Sequence, residues 1–129
     1  MKLNIDCMRS VLLELEETPY QASLSLGDLV SSLSKQDFEY QDICYSVLKL
    51  NEAGYISANI QRNSQSTRIL SLNDITFSVH QFLENIRSDS VWNNVKAIAV
   101  KIGSNSIASL TQIATGVITA IIKSQLGLI

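Results

Sequence analysis

The fold of this protein is decided by residues 38–72, which read FEYQDICYSVLKLNEAGYISANIQRNSQSTRILSL. Apolar residues recur at Ile43, Val47 and Leu50, and spacings of four and three place them on one face of a helix. Gly54 follows this run, and glycine takes the left-handed conformation that closes a last helical turn without a penalty from a Cβ atom. We therefore expect a central helix that ends just before Gly54.

The pattern after this helix changes from helical to alternating. Ile56, Ala58 and Ile60 alternate with polar residues, which is typical of a half-buried strand. The polar residues 62–67 predict a turn, and residues 68–72 predict a return strand. A helix, a glycine stop and a two-stranded ribbon together indicate the second half of a winged helix-turn-helix.

Two helices are predicted before this segment. The first covers residues 5–17, with Asn4 as its N-cap, and the second covers residues 26–33. Ser25 and the acid three residues later form a variant of the capping box at the start of the second helix. Residues 20–24 are expected to be a short extended link.

Three further helices are predicted after the hairpin. Asn73 and Asp74 are expected to break the return strand. The fourth helix should begin after Thr76 and the fifth after Ser88, because both residue types are good N-caps. A break at residues 103–105 separates the fifth helix from the last.

These elements predict a mostly α protein with a small β-hairpin wing. Residues 1–87 are expected to form a winged helix-turn-helix domain, and residues 88–129 two C-terminal helices that serve as an oligomerisation appendage. The 129 residues are 46% hydrophobic, with one Pro and five Gly, which is ample for a core and leaves little room for linkers. Cys7 and Cys44 lie on separate helices, and the N-terminus has no long apolar run, so we expect a cytoplasmic protein.

The charges are unevenly spread along the chain. Residues 1–90 carry seven Lys and Arg against twelve Asp and Glu, whereas residues 91–129 carry three Lys and no acid. Domains that bind duplex DNA through its phosphates usually present a basic face. The acidic balance of the predicted winged helix therefore counts against DNA binding as the default function.

The last helix carries no charge between Ile102 and Ile122, which raises the question of a membrane span. A narrow polar stripe recurs along it at spacings of three and four, and a span in lipid needs no such stripe. We expect this helix to pair with other copies in a homo-oligomer, with packing on its own fifth helix as the alternative, and we do not expect membrane contact. The apolar positions predicted to mediate oligomerisation are Ile107, Leu110, Ala114, Val117, Ile118 and Ile121.

Three segments of the chain carry a resemblance to a known family: the opening residues 1–13, residues 45–56 and residues 75–87, where ITFSVHQFLENIR is the most specific motif. Together with the Val-Trp pair at 91–92, they resemble the bacterial and prophage domain-of-unknown-function family twenty-five-thirteen. This family is regarded as winged-helix-like and has no established activity. The resemblance therefore implies a fold and a mobile-element setting rather than a reaction.

The exposed face of the central helix and the wing form the candidate contact surface. Gln41 and Ser46 could read base edges, whereas Glu39 and Asp42 would meet phosphate oxygens. The predicted contact residues are Glu39, Gln41, Asp42, Ser46 and Lys49 on the helix, and Arg62, Asn63 and Arg68 on the wing. Two functions follow as hypotheses: an oligomeric DNA-binding regulator of phage or mobile-element type or, alternatively, a non-enzymatic protein-interaction module acting as an inhibitor or adaptor.

No pattern in the sequence predicts catalysis. His80 is the only histidine, and a metal site built from it with Cys7 and Cys44 would require three distant segments to converge. The chain contains no GxSxG, Walker or HExxH motif. We therefore expect no catalytic residues, no metal and no cofactor.

Overall fold

The computed structural model of the chain describes residues 1–127. These residues form six helices and a three-stranded antiparallel sheet, in two compact units that divide between His80 and Gln81. The prediction of a mostly helical chain with a small sheet is confirmed. The elements are α1 Ile5–Glu16, β1 Leu24–Ser25, α2 Leu26–Ser34, α3 Tyr40–Glu52, β2 Ile56–Arg62, β3 Thr67–Ile75, α4 Phe77–Ile86, α5 Asp89–Ile102 and α6 Ile107–Gln125.

The core of the first unit forms where α1 packs against α2, α3 and β3. From α3 it takes Ile43, Val47 and Leu50, which are at most 1% exposed. The apolar spacing in the sequence therefore identified the buried face of this helix correctly. The α1 side of the same core consists of Cys7, Met8, Val11, Leu12 and Leu15.

The starts of α1 and α2 are fixed by side-chain caps, as predicted. The Asn4 Oδ1 atom accepts a hydrogen bond from the backbone N–H of Cys7 at 3.1 Å. The Ser25 Oγ atom accepts one from the backbone N–H of Asp28, also at 3.1 Å. Each cap satisfies a backbone donor that has no partner within its own helix.

The end of α3 depends on Gly54, which adopts a φ of +79°. The N–H of Tyr55 donates to the carbonyl of Leu50 at 3.0 Å, and the N–H of Gly54 donates to the carbonyl of Asn51 at 3.1 Å. These two bonds are the Schellman pattern, which satisfies the last carbonyls of a helix and reverses the chain. The chain thereby leaves α3 in the direction of β2.

Replacing Gly54 by valine is expected to lower the free energy of unfolding by about 1–3 kcal/mol. A Cβ atom at this position would meet nothing within 4 Å, so the cost arises from the left-handed backbone and not from a clash. Urea denaturation followed by circular dichroism measures the change. Gly116→Ala is the matched control, because Gly116 has equally open surroundings but lies inside α6, where alanine is favourable. A Gly54→Val midpoint equal to that of the parent protein would contradict the prediction.

The sheet has the strand order β1-β3-β2. β1 is a two-residue strand in which Leu24 pairs with Leu72 and Ser25 with Ser71. Residues 20–24 were expected to be only a short extended link, so this strand was not predicted. Two residues carry no periodicity, so only the tertiary pairing with β3 reveals them.

β3 contains two bulges that set which residues face the core. The pairing with β2 skips Leu70 and Asn73, so each is an extra residue on β3 without a partner on β2. Ile69, Leu72 and Ile75 are consequently the buried positions, at a spacing of three instead of two. The predicted break at Asn73 and Asp74 was wrong, because a bulge carries the strand past them to Ile75.

The second unit is built around α5 and α6, which pack against each other. Ser88 and Ser106 cap the two helices, and Gly103 ends α5 with a φ of +81°. Leu110 and Ala114 are fully buried within this unit. The interpretation of these two residues as contacts between chains is therefore corrected, because their own unit already covers them. The α5 residues that complete this core are Val91, Trp92, Val95 and Ala99.

The remainder of α6 is largely exposed. By length and composition alone, the helix Ile107–Gln125 could cross a membrane, with a mean hydropathy of 1.4. Only 11% of this apolar stretch is buried. Thr111, Thr115 and Thr119 donate their hydroxyls to the carbonyls four residues earlier, at 2.8, 3.0 and 2.7 Å. These hydroxyls are thus satisfied by the helix itself. The single basic residue in its last turn is Lys123.

Candidate functional site

The exposed side of α3 carries most of the predicted helix contacts. Glu39 is the exposed N-cap residue and makes no side-chain capping bond, and Gln41 is also exposed. Asp42 is half-buried on the flank toward Cys7 of α1, where its charge helps to raise the pKa of the Cys7 thiol. The Lys49 Nζ atom lies 3.0 Å from a carboxylate oxygen of the next turn, so it is paired within the helix.

Ser46 does not belong to this surface, and its prediction as a contact residue was wrong. It is fully buried, and its Oγ atom has no hydrogen-bond partner within residues 1–127. Its hydroxyl faces the Cys7 thiol; burial raises the pKa of that thiol, and the hydroxyl partly opposes the rise. Ser46 lies three residues after Ile43 and four before Leu50, so the helical spacing itself placed it on the buried face.

One flank of α3 is covered by the start of the chain. The Tyr45 hydroxyl donates a hydrogen bond to the backbone carbonyl of Met1 at 3.0 Å. The Lys49 Nζ atom lies 5.5 Å from the centre of the Tyr45 ring, within the range of a cation–π contact. No pattern in the sequence predicts this docking, which takes Tyr45 out of the freely accessible surface.

The other flank of α3 borders an open cleft of about 500 Å³. Tyr40 is 59% exposed at its mouth, and a hydrogen bond with the adjacent Cys44 side chain raises the pKa of its phenol. Leu70, the bulged residue of β3, is 39% exposed on the same cleft. The lining comes from α3, from β3 and from the start of α2: Ser25, Leu26, Gly27, Tyr40, Cys44, Leu48, Thr67, Arg68, Ile69 and Leu70.

The three predicted wing residues have different roles. Asn63 shapes the turn, because its Oδ1 atom accepts hydrogen bonds from the N–H groups of Gln65 and Ser66 at 2.9 and 2.8 Å. Arg62 is exposed, and it is close enough to Lys49 for its charge to lower the pKa of that lysine, although pairing with Glu52 raises this pKa overall. Arg68 lines the cleft.

Comparison with known proteins places the chain in a family. Residues 2–105 match the family profile described as "Hypothetical protein (DUF2513)". The chain belongs to the DUF2513 family. An "Uncharacterized protein" of Haemophilus influenzae (strain ATCC 51907 / DSM 11121 / KW20 / Rd) is 32% identical over 120 residues, which cover 92% of this chain and 97% of the relative. No solved structure matches the chain.

The resemblance seen in the sequence is thus confirmed for this DUF2513 protein. The profile spans α1 to α5 and stops before α6. It includes Tyr40, Cys44 and Leu48 on α3, and Arg68 and Leu70 on β3, so the cleft belongs to the part that the family shares.

Titratable side chains of the DUF2513 chain form no metal-binding group of three or more His, Cys, Asp or Glu within residues 1–127. The Nδ1 atom of His80, in α4, lies 3.6 Å from the Oε2 atom of Glu16, at the end of α1. Glu16 is 13% exposed, whereas His80 is 48% exposed. Both residues belong to the first unit, and a single His-carboxylate contact is no nucleophile–base arrangement by itself.

Proposed function

We propose that this DUF2513 protein is a non-enzymatic, winged-helix-like module that binds a protein partner through the open side of α3 and β3. The order helix, strand, helix, helix, strand, strand in the first unit, with the sheet order β1-β3-β2, supports the winged-helix part. A fold of this kind does not fix the target, so the target has to be argued from the surface.

The exposed side chains of Tyr40 and Leu70, which stand among polar residues in the lining of the cleft, carry the proposal. Tyr40, Cys44 and Leu48 of α3 and Leu70 of β3 border the cleft, where a DNA reader would present polar and basic side chains. Aromatic and aliphatic side chains in a concave surface are typical of protein-binding sites.

The charge of the first unit also favours a protein partner. Residues 1–80 carry six Lys and Arg and ten Asp and Glu, which gives a net charge of −4 with His80 neutral. On α3, Glu39, Asp42 and Glu52 would repel the phosphates of a duplex. A protein partner has no phosphate backbone to be repelled, and its basic side chains can pair with these carboxylates and orient it.

Tyr40→Glu is expected to weaken capture of the partner by about tenfold or more, because it removes the exposed aromatic side chain at the mouth of the cleft and places a charge there. The measurement is affinity capture by the full chain from cell extract, followed by titration of the captured protein. Tyr20→Glu is the matched control, because Tyr20 is 91% exposed in the segment between α1 and β1 and does not line the cleft. A partner bound equally by the parent protein and Tyr40→Glu would overturn the assignment of this surface.

Duplex DNA is the second candidate target, favoured by the proximity of Arg62 to Lys49 and by a second arginine, Arg68, on the same hairpin. If DNA binds here, Arg62→Ala combined with Arg68→Ala should weaken binding to all sequences alike and reduce the salt slope by about two. Fluorescence anisotropy with a random-sequence duplex at low ionic strength measures both effects. Lys96→Ala with Lys101→Ala removes the same charge from α5 and should leave binding unchanged. No retention of duplex even at low salt would remove this candidate.

We also propose that the chain associates with further copies through the exposed part of α6. Ile121, Ile122 and Leu126 are 40%, 52% and 66% exposed, and solvent contact of so many apolar side chains is unfavourable. Of the predicted oligomerisation residues, Ile107, Val117 and Ile118 remain half-buried and available for this role. A cytoplasmic location in a phage or mobile-element setting stays a prediction of the sequence.

A further inference from the structure

The sheet edge that borders the cleft is uncovered along part of β3. The pairing of β1 with β3 ends at Ser25↔Ser71, because the chain enters α2 at Leu26. Residues 67–70 of β3 therefore have β2 on one side and, among the described residues, no strand on the other. The cleft lies along this open side.

We propose that the cleft binds an extended peptide segment carrying an acidic side chain, which continues the line of β1 along residues 67–70. The inference rests on the proposed function and specifies the partner of the same surface. An unpaired strand edge offers backbone donors and acceptors to an added strand, and pockets beside it select alternate side chains of that strand. The cleft volume of about 500 Å³ lies within the range of clefts that bind drug-sized ligands.

The charge of the lining determines the chemistry of the segment. Arg68 is the one charged residue among those that line the cleft, and no acid lines it. Arg68 is exposed, and Leu48 and Leu70 also line the cleft. The planar guanidinium can bind both oxygens of a carboxylate, which gives such a pair a defined geometry. The segment should therefore place an Asp or Glu at Arg68, with an apolar residue against the α3 wall.

The test is a selection of short random linear peptides displayed on phage against the full-length protein. We expect the enriched peptides to share an acidic residue next to an apolar one. Synthetic copies should bind about tenfold more weakly, or worse, when the acid is changed to its amide or when a backbone N–H near it is methylated. Arg68→Glu should cause a similar loss. Arg62→Glu makes the same charge change on the same hairpin outside the cleft lining, and should bind the peptide like the parent protein.

Cys44 provides an independent readout of where the peptide binds. It is half-buried in the cleft lining, whereas Cys7 is fully buried, so an aromatic disulfide reagent should label Cys44 in the folded protein. Saturating peptide should slow this labelling about tenfold by covering the thiol. Cys44→Ser should abolish the labelling.

Three results would each overturn the inference: no peptide enriched above an empty support, selected peptides that bind Arg68→Glu unchanged, or binding that ignores backbone methylation. The proposed function fails separately. If Tyr40→Glu loses a captured partner while no linear peptide binds, the surface recognises a folded protein, and only the extended-peptide inference falls. If Tyr40→Glu loses no partner, the assignment of the surface itself fails.

Discussion

Leu110→Asp is expected to destabilise the second unit by roughly 4–5 kcal/mol, enough to unfold much of it at room temperature. Leu110 is fully buried between α6 and the rest of the unit, so the substitution removes an apolar side chain and places a carboxylate where water cannot reach it. The carboxylate must either stay uncharged or force the helices apart, and both cost free energy of folding.

Trp92 makes this effect measurable in one unit alone. It is the single tryptophan of the chain, it lies in α5, and it is 2% exposed. A red shift of its emission therefore reports unfolding of the second unit, while urea titration gives the free energy. Gln112→Asp is the matched control, because it adds the same charge two residues away at an exposed position and should leave the emission unchanged. A Leu110→Asp protein whose Trp92 emission and urea midpoint equal those of the parent protein would contradict the prediction.

The helical part of the fold could be predicted because each helix carries its own signals. The buried positions Ile43, Val47 and Leu50 follow from spacing alone, and the caps at Asn4 and Ser25 follow from residue type. These signals are local: a helix forms its hydrogen bonds and its apolar stripe within one stretch of chain. The same spacing places Ser46 on the buried face of α3, between Ile43 and Leu50, although its side chain is polar.

The strands were harder because their geometry depends on distant partners. The bulges at Leu70 and Asn73 exist only relative to β2, and they shift the buried positions of β3 away from alternation. The residue types of Asn73 and Asp74 predicted a break, whereas the strand continues through the second bulge to Ile75. The same limit applies to the candidate site: Arg68 was identified from its charge, but the cleft that it shares with Tyr40 and Leu70 arises from the meeting of α2, α3 and β3.

For α6 the sequence predicts the apolar composition of the helix, but not which of its residues pack within the chain. The long apolar run is visible in the sequence. Composition alone does not distinguish the residues that pack on α5 from those that stay exposed. Leu110 and Ala114 fall in the first part, and Ile121 and Ile122 in the second. Association between chains has therefore to be tested at the exposed residues, where substitution does not disturb the core.

Ile121→Asp combined with Ile122→Asp is expected to abolish self-association while leaving each chain folded. Burial of one isoleucine side chain contributes about 1.5–3 kcal/mol, so removing two from an interface should weaken association on the order of 100-fold or more. Both residues are exposed in the single chain, at 40% and 52%, so the free energy of unfolding and the Trp92 emission should change little. Sedimentation velocity measures the mass.

The matched control for this prediction is Ser124→Asp with Gln125→Asp, which adds the same two charges to exposed polar positions of the same helix turn and should keep the parental mass. Because α6 is also long and apolar enough to cross a membrane, the parent protein should be sedimented with and without neutral phospholipid vesicles. Association in the absence of vesicles that is lost in the isoleucine variant and kept in the control identifies a second copy as the partner of α6. If the parent protein is monomeric in water but binds vesicles through the same residues, this surface binds lipid instead. If the isoleucine variant keeps the parental oligomeric mass, these isoleucines lie outside the interface.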